Sequence, residues 1–506
     1  MKKFSKILSV ALLVALVLSL GVANAFAQTI TIDRDNSWKA TEDLKEGESN
    51  VATYTWYKLF DATVTTSATV NADGTSTGGV AVYTISGTGA AAKVGALDSD
   101  VFNADLAADG KYYITVKDGV GDAAVIAALK SMDKTLFDHD SVTSSDNPVK
   151  IENLDAGYYF IEASNGKDVI VQTLDDVRIT EKNDYPTIDK KQRKDNGDYK
   201  NDTLPVEIGS YIDYQVTVDV PNDVNKPIAV IDIMSSGLEF DKPAGTDGLT
   251  VTYPEGVTNG SYSAMTSTDP EYVEGATWQI KFPTAVVEAC KGKSIVITFR
   301  AKVTAAALQD TGKENEVTLN YDEGHYILKD KVEYELYFGG IEKVDGASVA
   351  DGKTPADKIT LEGVKFEVTV GDDPFNVTPV TKGGEGEDKD EVLYYIPGGD
   401  SNEVVTGKNG LIIIRGLDGN KTYTLTETET QASYNLLKTP KNLTLVPDTD
   451  LDGTVYPTAT YDQVLNNRGT VLPSTGGIGT TIFYVVGGVL VLAAIILLVT
   501  KKRMSE

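Results

Sequence analysis

The sequence predicts a mainly β chain: tandem β-sandwich domains set between an N-terminal signal segment and a C-terminal membrane-spanning segment. Three observations predict it. Short β-prone runs rich in aromatic and branched residues recur along the chain, separated by Gly, Asp, Ser and Thr turns. Both ends carry an apolar stretch with basic flanks, whereas the polar remainder is long enough for roughly three domains of 100–200 residues. Heptads are absent, as is any Gly-rich phosphate loop between a strand and a helix.

The terminal segments come first because they fix the compartment. Lys2, Lys3 and Lys6 precede an apolar run from Ile7 to Val22, and Ala25-Phe26-Ala27 supplies a small-residue cleavage site. Ala23-Asn24-Ala25 competes with it, so the mature chain is expected to start near Gln28 or Phe26, and residues 1–27 are assigned as signal. At the other end, residues 471–506 hold Leu472-Pro473-Ser474-Thr475-Gly476, an apolar run from Ile482 to Val499, and Lys501-Lys502-Arg503. As a helix, roughly 18 apolar residues span about 27 Å, close to the hydrocarbon layer of a bilayer. A transmembrane helix is therefore expected over 481–500. The basic cluster should stay cytoplasmic, which leaves the rest outside the cell. Pro473 biases the pentapeptide toward extended backbone, open to a processing enzyme.

Charge and cysteine narrow the classes further. Lys and Arg number 46 against 74 Asp and Glu, a formal net charge of −28. That excess argues against nucleic acid and against anionic lipid headgroups as partners. Cys290 is the one cysteine, so no intramolecular disulfide can form despite export. An exported β protein without disulfides needs another source of durability.

Residues 28–185 form the first expected domain. Its strands are Thr53–Phe60, Tyr112–Val116 and Gly157–Glu162, with a short helix over Asp122–Met132. The second spans 186–331. Tyr211–Val220 alternates from Ile212 onward as a half-buried strand; Ile228–Met234, Thr277–Phe282 and Ser294–Val303 are further strands, and Thr284–Cys290 and Ala305–Gln309 are short helical pieces. The third spans 332–470, with strands Val364–Val370, Leu411–Arg415 and Thr422–Thr428 between Asp and Gly turns. Tyr158 precedes Glu162 by four positions and Tyr423 precedes Glu427 by four, a loose internal echo.

Strand periodicity turns three polar residues inward. Lys190 shares a face with Ile188, Asp232 with Ile228 and Val230, and Asn315 with Val317 and Leu319. A lysine, an aspartate and an asparagine in one apolar core are costly unless they pair or react. Burial raises a carboxyl pKa and lowers that of an amine. A neutral amine is a nucleophile, and a protonated Asp232 can polarise the carboxamide and shuttle a proton. Lys190 could then attack Asn315, expel ammonia and leave an amide between side chains. A second set repeats the pattern: Lys343 after Ile341, Glu427 after Tyr423 and Leu425, and Asn466 after Val464, with Asn467 beside it as the alternative.

Leu472, Pro473, Thr475 and Gly476, the apolar span and the basic tail together resemble the cell-wall sorting signal of Gram-positive bacteria. The resemblance implies that sortase cuts the Thr475–Gly476 bond and passes the Thr475 carboxyl to an amine. The likeness extends over most of the chain. Pro186-Thr187-Ile188-Asp189-Lys190, Ile231 to Leu238 and Asn315 to Leu319 resemble the isopeptide-forming middle domain of Gram-positive pilins. Ile341-Glu342-Lys343, Leu361 to Phe366 and Tyr423 to Thr428 resemble a collagen-adhesin B-type domain with its E-box, whose usual Ala-Pro-x-Gly-Tyr tail reads Thr430-Gln431-Ala432-Ser433-Tyr434 here. The resemblance implies immunoglobulin-like or prealbumin-like sandwiches, Lys190–Asn315 and Lys343–Asn466 isopeptide bonds promoted by Asp232 and Glu427, and polymerisation. Family members carry Tyr-Pro-Lys after the first domain, and that lysine attacks the sortase thioester. Here the segment is Tyr185-Pro186-Thr187, so Lys191 is the first candidate, ahead of Lys182 and Lys194.

The function these readings imply is that of a structural pilus subunit rather than an enzyme, with sortase, identical subunits and peptidoglycan as partners and the membrane only before sorting. A wall-anchored adhesin binding host or matrix ligands is the alternative. The missing Tyr-Pro-Lys favours it; the lack of long stalk repeats counts against it. No cofactor or metal is expected. Asp448-Thr449-Asp450-Leu451-Asp452-Gly453 opens like a calcium loop, but Ala459 stands where the closing Glu belongs. His139 and His325 are isolated, which gives little support to a metal site or a Ser–His–Asp triad. The Gly383–Glu391 run reads as an acidic loop.

Overall fold

The computed structural model describes residues 28–34, 44–64, 69–70, 76–77, 81–164, 169–173, 176–181, 184–222, 224–258, 260–383, 390–449, 461–469 and 478–504. The expected signal segment, the Leu472–Gly476 pentapeptide and Lys182 lie outside them. Packing separates two compact units. One holds residues up to Leu204 together with Ser210–Tyr334; the other holds Pro205–Gly209 and Glu335 onward. The sequence divided the chain differently, and nothing in its periodicity assigns Pro205–Gly209 to the later unit. In that unit Val206 N–H donates to Glu335 O at 3.0 Å and Ile208 N–H to Gly416 O at 3.0 Å.

The first unit contains two sets of sheets. Early in the chain, Ala52–Val64 is a long central strand. It pairs antiparallel with Gly157–Ala163, with Ala81–Ile85 and with Asp138–Ser144. Alternation leaves Leu59, Phe60, Ile85, Ile114 and Phe160 in one apolar cluster, covered by the helix Asp122–Ser131 through Ala128 and Leu129. The helix Ala90–Gly95 was not foreseen. Its Ala-Ala-Ala start follows Gly89 in a left-handed conformation, a signal too short for periodicity to reveal.

Two further sheets face each other later in the unit. One runs Thr187–Arg193, Tyr211–Val220, Lys293–Val303, Leu238–Phe240; the other contains Tyr326–Glu335, Glu314–Tyr321, Ile228–Met234, Trp278–Phe282. Tyr211–Val220 is the clearest case of sequence dictating structure. Its alternate residues Ile212, Tyr214, Val216, Val218 and Val220 are all buried. Ile228–Met234 is buried on both faces over its first five residues, as a continuous apolar run requires. Gly237 ends the turn after it. A Cβ there would strike the Tyr334 hydroxyl and lie 2.6 Å from Ala307 Cα.

In the second unit one sheet runs Val377–Thr381, Val392–Pro397, Leu411–Leu417, Tyr337–Asp345, Leu445–Pro447. Asp462–Asn466 also pairs with Tyr337–Asp345, in parallel. The facing sheet runs Asp373–Pro374, Lys365–Val370, Tyr423–Glu429, Lys441–Asn442. Ile341, Phe366, Val368, Ile412, Ile414, Leu425 and Val464 fill the space between. The tail forms a helix over Ile478–Met504, of which Ile482–Arg503 is long and apolar enough to cross a membrane.

Gly237→Ala should lower folding stability by about 1–3 kcal/mol, because the backbone at Ala307 has no room to yield. Chemical unfolding of the exported chain reads this directly; an unchanged midpoint would show that the turn can open.

Candidate functional site

Two buried clusters each bring a lysine, a carboxyl and an asparagine together in a core. In the first unit Lys190, Asp232 and Asn315 are all fully buried. Register explains each placement. Lys190 lies opposite Val216, itself opposite Ile297. Asp232 pairs with Val317 and Trp278, and Asn315 pairs with Met234 and Val332. The lysine thus comes from one sheet, and the aspartate and asparagine from adjacent strands of the other.

Lys190 Nζ donates to Asp232 Oδ2 and lies 5.5 Å and 5.4 Å from the ring centroids of Tyr214 and Phe299. Trp278 packs edge-on against Phe299, with ring centroids 5.1 Å apart. Burial drives the Lys190 amine below the usual ammonium range, with Asp232 opposing that shift. Burial likewise pushes the Asp232 carboxyl up to about 6, against the attraction of Lys190. Both shifts favour a neutral amine beside a protonated acid. Asn315 neighbours Asp232 and favours its charged form, yet no contact reaches hydrogen-bond geometry: both polar atoms of its carboxamide, and Asp232 Oδ1, are buried without a partner. Leaving such groups unsatisfied costs about 1–3 kcal/mol each.

The second cluster is fully connected. Lys343 Nζ donates to Glu427 Oε2 at 3.0 Å and to Asn466 Oδ1 at 2.6 Å. Asn466 Nδ2 donates to Glu427 Oε1 at 2.7 Å and to Thr430 Oγ1 at 2.8 Å. Leu437 N–H donates to Glu427 Oε2 at 3.1 Å. Lys343 is opposite Val464 in the parallel pair, and Asn466 follows two residues on, on the same face. Here lysine and asparagine share a sheet and the carboxyl comes from the facing one, where Glu427 pairs with Phe366. Burial pushes the Lys343 amine below its usual range, opposed by Glu427. Asn467 is exposed, whereas Asn466 is buried, which separates the two alternatives left by the sequence.

The other sequence candidates fall elsewhere. Lys191 points outward, with its side chain 38% exposed and 2.9 Å from Asp189. Lys194 lies half-buried just after that strand. Glu162, the earlier partner in the Tyr–Glu echo, reaches Lys134 at 3.2 Å and Tyr57 at 3.2 Å, both near the surface, so the echo does not extend to a buried triad. Asp448, first residue of the calcium-like run, is buried and held by the Arg415 guanidinium through bonds of 2.9 and 2.8 Å; Asp450 to Gly453 and Ala459 lie outside the described residues. His139 and His325 each bond a backbone carbonyl through Nδ1, at 2.8 and 2.6 Å. Among the described residues no group of three or more His, Cys, Asp or Glu side chains could hold a metal ion. Thr430 escaped sequence reasoning, because the E-box likeness draws attention to the glutamate.

Comparison with known proteins adds two matches along the chain. Residues 348–458 match the SpaA prealbumin-like fold domain. Residues 465–506 match the LPXTG cell wall anchor motif. This is a cell-wall-anchored surface protein. The anchor implies processing by sortase and a precursor that spans the membrane through the Ile482–Arg503 segment. No curated protein matches the chain. Among solved structures it is similar to the T6 backbone pilin of serotype M6 Streptococcus pyogenes, at 15% identity over 83% of this chain and 80% of that one, TM-score 0.44. It is also similar to the major pilin SpaD of Corynebacterium diphtheriae, at 15% identity over 89% and 100%, TM-score 0.42. The major pilin SpaA of the same organism gives 14% identity over 87% and 100%, TM-score 0.43.

The Asp232 shift has a testable sign. Its folded pKa is raised above the ordinary 3.8, so the folded state holds an extra proton between about 4 and about 6. Its contribution to stability is therefore greatest in acid and shrinks as pH rises through that window. Lys190, whose folded pKa is lowered, acts in the opposite sense between that lowered value and 10.5. Asn315→Ala removes the electrophile and keeps the pair. Unfolding of that wall protein across the acid window, with and without Asp232→Asn, isolates the aspartate: the double variant should lose the acid-favoured component. Identical pH slopes would contradict the raised carboxyl.

Proposed function

We propose that this protein is the shaft subunit of a sortase-assembled surface pilus, stiffened by Lys190–Asn315 and Lys343–Asn466 isopeptide bonds. The observation that carries the reading is Lys343 Nζ, buried 2.6 Å from Asn466 Oδ1 and 3.0 Å from Glu427, in a chain that ends in an LPXTG anchor. In this reading the low-polarity core populates the neutral Lys343 amine, which attacks Asn466 Cγ. The Glu427 carboxyl takes one proton from the attacking nitrogen and gives one to Nδ2. The Cγ–Nδ2 bond breaks, ammonia leaves, and the carboxyl ends unchanged. Asp232 performs the same exchange for Lys190 and Asn315. Each reaction is self-directed and occurs once, so the chain acts on no external substrate.

The bonds supply what disulfides would in other exported proteins. Closing a loop of roughly 125 residues stabilises by about 5 kcal/mol on the loop-entropy estimate for cross-links. Sortase then cuts after Thr475 and joins that carboxyl to a lysine of the next subunit, and the last subunit is joined to peptidoglycan. Lys191 is the proposed acceptor: it is adjacent to inward-facing Lys190 and open to solvent. Lys194 and Lys182 are the alternatives.

The second reading, a single-copy adhesin for a host or matrix ligand, is favoured by Thr187. It occupies the usual pilin-lysine position, exposed, with its hydroxyl 3.2 Å from Asp219.

Denaturing gels of wall extracts separate the two. The pilus reading predicts a ladder of high-mass species that collapses to one band on Thr475→Ala or on removal of sortase, and on Lys191→Ala. A single wall-linked band in the unaltered strain would favour the adhesin. Glu427→Ala should leave Lys343 and Asn466 unlinked and lower stability by about 5 kcal/mol or more; a branched peptide surviving that change would exclude Glu427 as the promoting acid.

A further inference from the structure

Thr430 stands where the related E-box tail has Ala, and its hydroxyl lies 2.8 Å from Asn466 Nδ2. The turn keeps its shape although Ser433 replaces the glycine, and the tyrosine is retained. Ser433 takes the glycine position with φ 77°, and Tyr434 donates to Asp345 Oδ2 at 2.9 Å. The turn is therefore preserved while Thr430 adds a hydroxyl beside the reacting carboxamide.

We propose that Thr430 is a positioning residue for amide formation between Lys343 and Asn466; the proposal rests on the isopeptide reading above. A primary carboxamide has two N–H donors on one end and an acceptor on the other. Glu427 Oε1 accepts one N–H at 2.7 Å and Thr430 Oγ1 accepts the other. With both donors engaged, the oxygen faces Lys343 Nζ, at 2.6 Å. The reverse orientation would set the amide nitrogen against the lysine donors and its oxygen against Glu427 Oε1, an acceptor. Thr430 thus holds the leaving nitrogen beside the acid that protonates it, and turns the carbonyl toward the nucleophile. Locking the reacting groups in this way lowers the barrier through orientation.

The first unit supplies the contrast within one molecule. Asn315 faces the same chemistry, yet neither polar atom of its carboxamide has a hydrogen-bond partner. Among the described residues it has no counterpart of Thr430. The Lys190–Asn315 bond is therefore an internal control for any change at position 430.

The experiment is pulse-labelling of the full-length chain in its wall-bearing host, quenching in acid and denaturant, and peptide mapping of the two branched products over time. Thr430→Val keeps the shape and removes the acceptor. It should slow the Lys343–Asn466 branch about tenfold, the effect of losing one hydrogen bond worth of orientation. The Lys190–Asn315 branch should keep its rate, and Thr430→Ser should restore the slowed one. A structural role would instead lower the unfolding midpoint of an Asn466→Ala chain on adding Thr430→Val, which the proposal expects to leave unchanged. Equal branch rates in the Val variant, or no rescue by Ser, would overturn the role of Thr430 alone. Absence of the Lys343–Asn466 branch from the unaltered chain would overturn the isopeptide reading and this proposal with it.

Discussion

A lysine amine buried against a carboxyl, with a carboxamide alongside, is the constraint around which both units are organised. Neither Lys190 nor Lys343 reaches solvent. Taking an ammonium and a carboxylate out of water costs several kcal/mol per ion, and their attraction recovers that only with full hydrogen bonding. The second unit comes near to that condition, because Glu427, Asn466, Thr430 and the Leu437 N–H complete the network. The first unit does not: Asn315 and one oxygen of Asp232 are unpartnered. An arrangement so unfavourable as a resting ion pair makes physical sense as the precursor of a neutral amide.

The two clusters bring the same residue types together by different topologies. Lys190 lies across the sandwich from Asp232 and Asn315, so the proposed bond would tie one sheet to the other. Lys343 and Asn466 lie on neighbouring parallel strands of one sheet, and the facing sheet contributes only the acid. In the second unit the strands that the proposed bond would link include Asp462–Asn466, the last described strand before the sorting segment. Arg468 reinforces that end through Asp345 at 3.0 Å and the Tyr434 hydroxyl at 2.8 Å. A pull at Thr475 would enter the domain beside the proposed bond, and the strand could not peel away without breaking a covalent link.

Much of the fold was legible because strand periodicity is simple. Tyr211–Val220, Ile228–Met234 and Tyr112–Val116 have the bounds that alternation and turn residues imply. The same period-two argument placed Lys190, Asp232, Asn315, Lys343 and Glu427 facing inward. What it could not supply was pairing between strands far apart in sequence. That Asp462–Asn466 runs parallel to Tyr337–Asp345, which brings Asn466 rather than Asn467 to Lys343, follows from tertiary register. Thr430 was invisible for a related reason: a threonine near the end of a strand is ordinary until the position of Asn466 is known. Pro205–Gly209 joins the second unit through contacts such as Ile208 against Gly416, where a side chain on Gly416 would collide with it. No local pattern encodes that.

The central claim is that these triads mature into amides, and intact mass of the purified exported chain tests it most directly. The account predicts a mass lower than the sequence requires by two ammonias, with Lys190 joined to Asn315 and Lys343 joined to Asn466 in branched peptides. An unshifted mass, with free amines at both lysines, would contradict it.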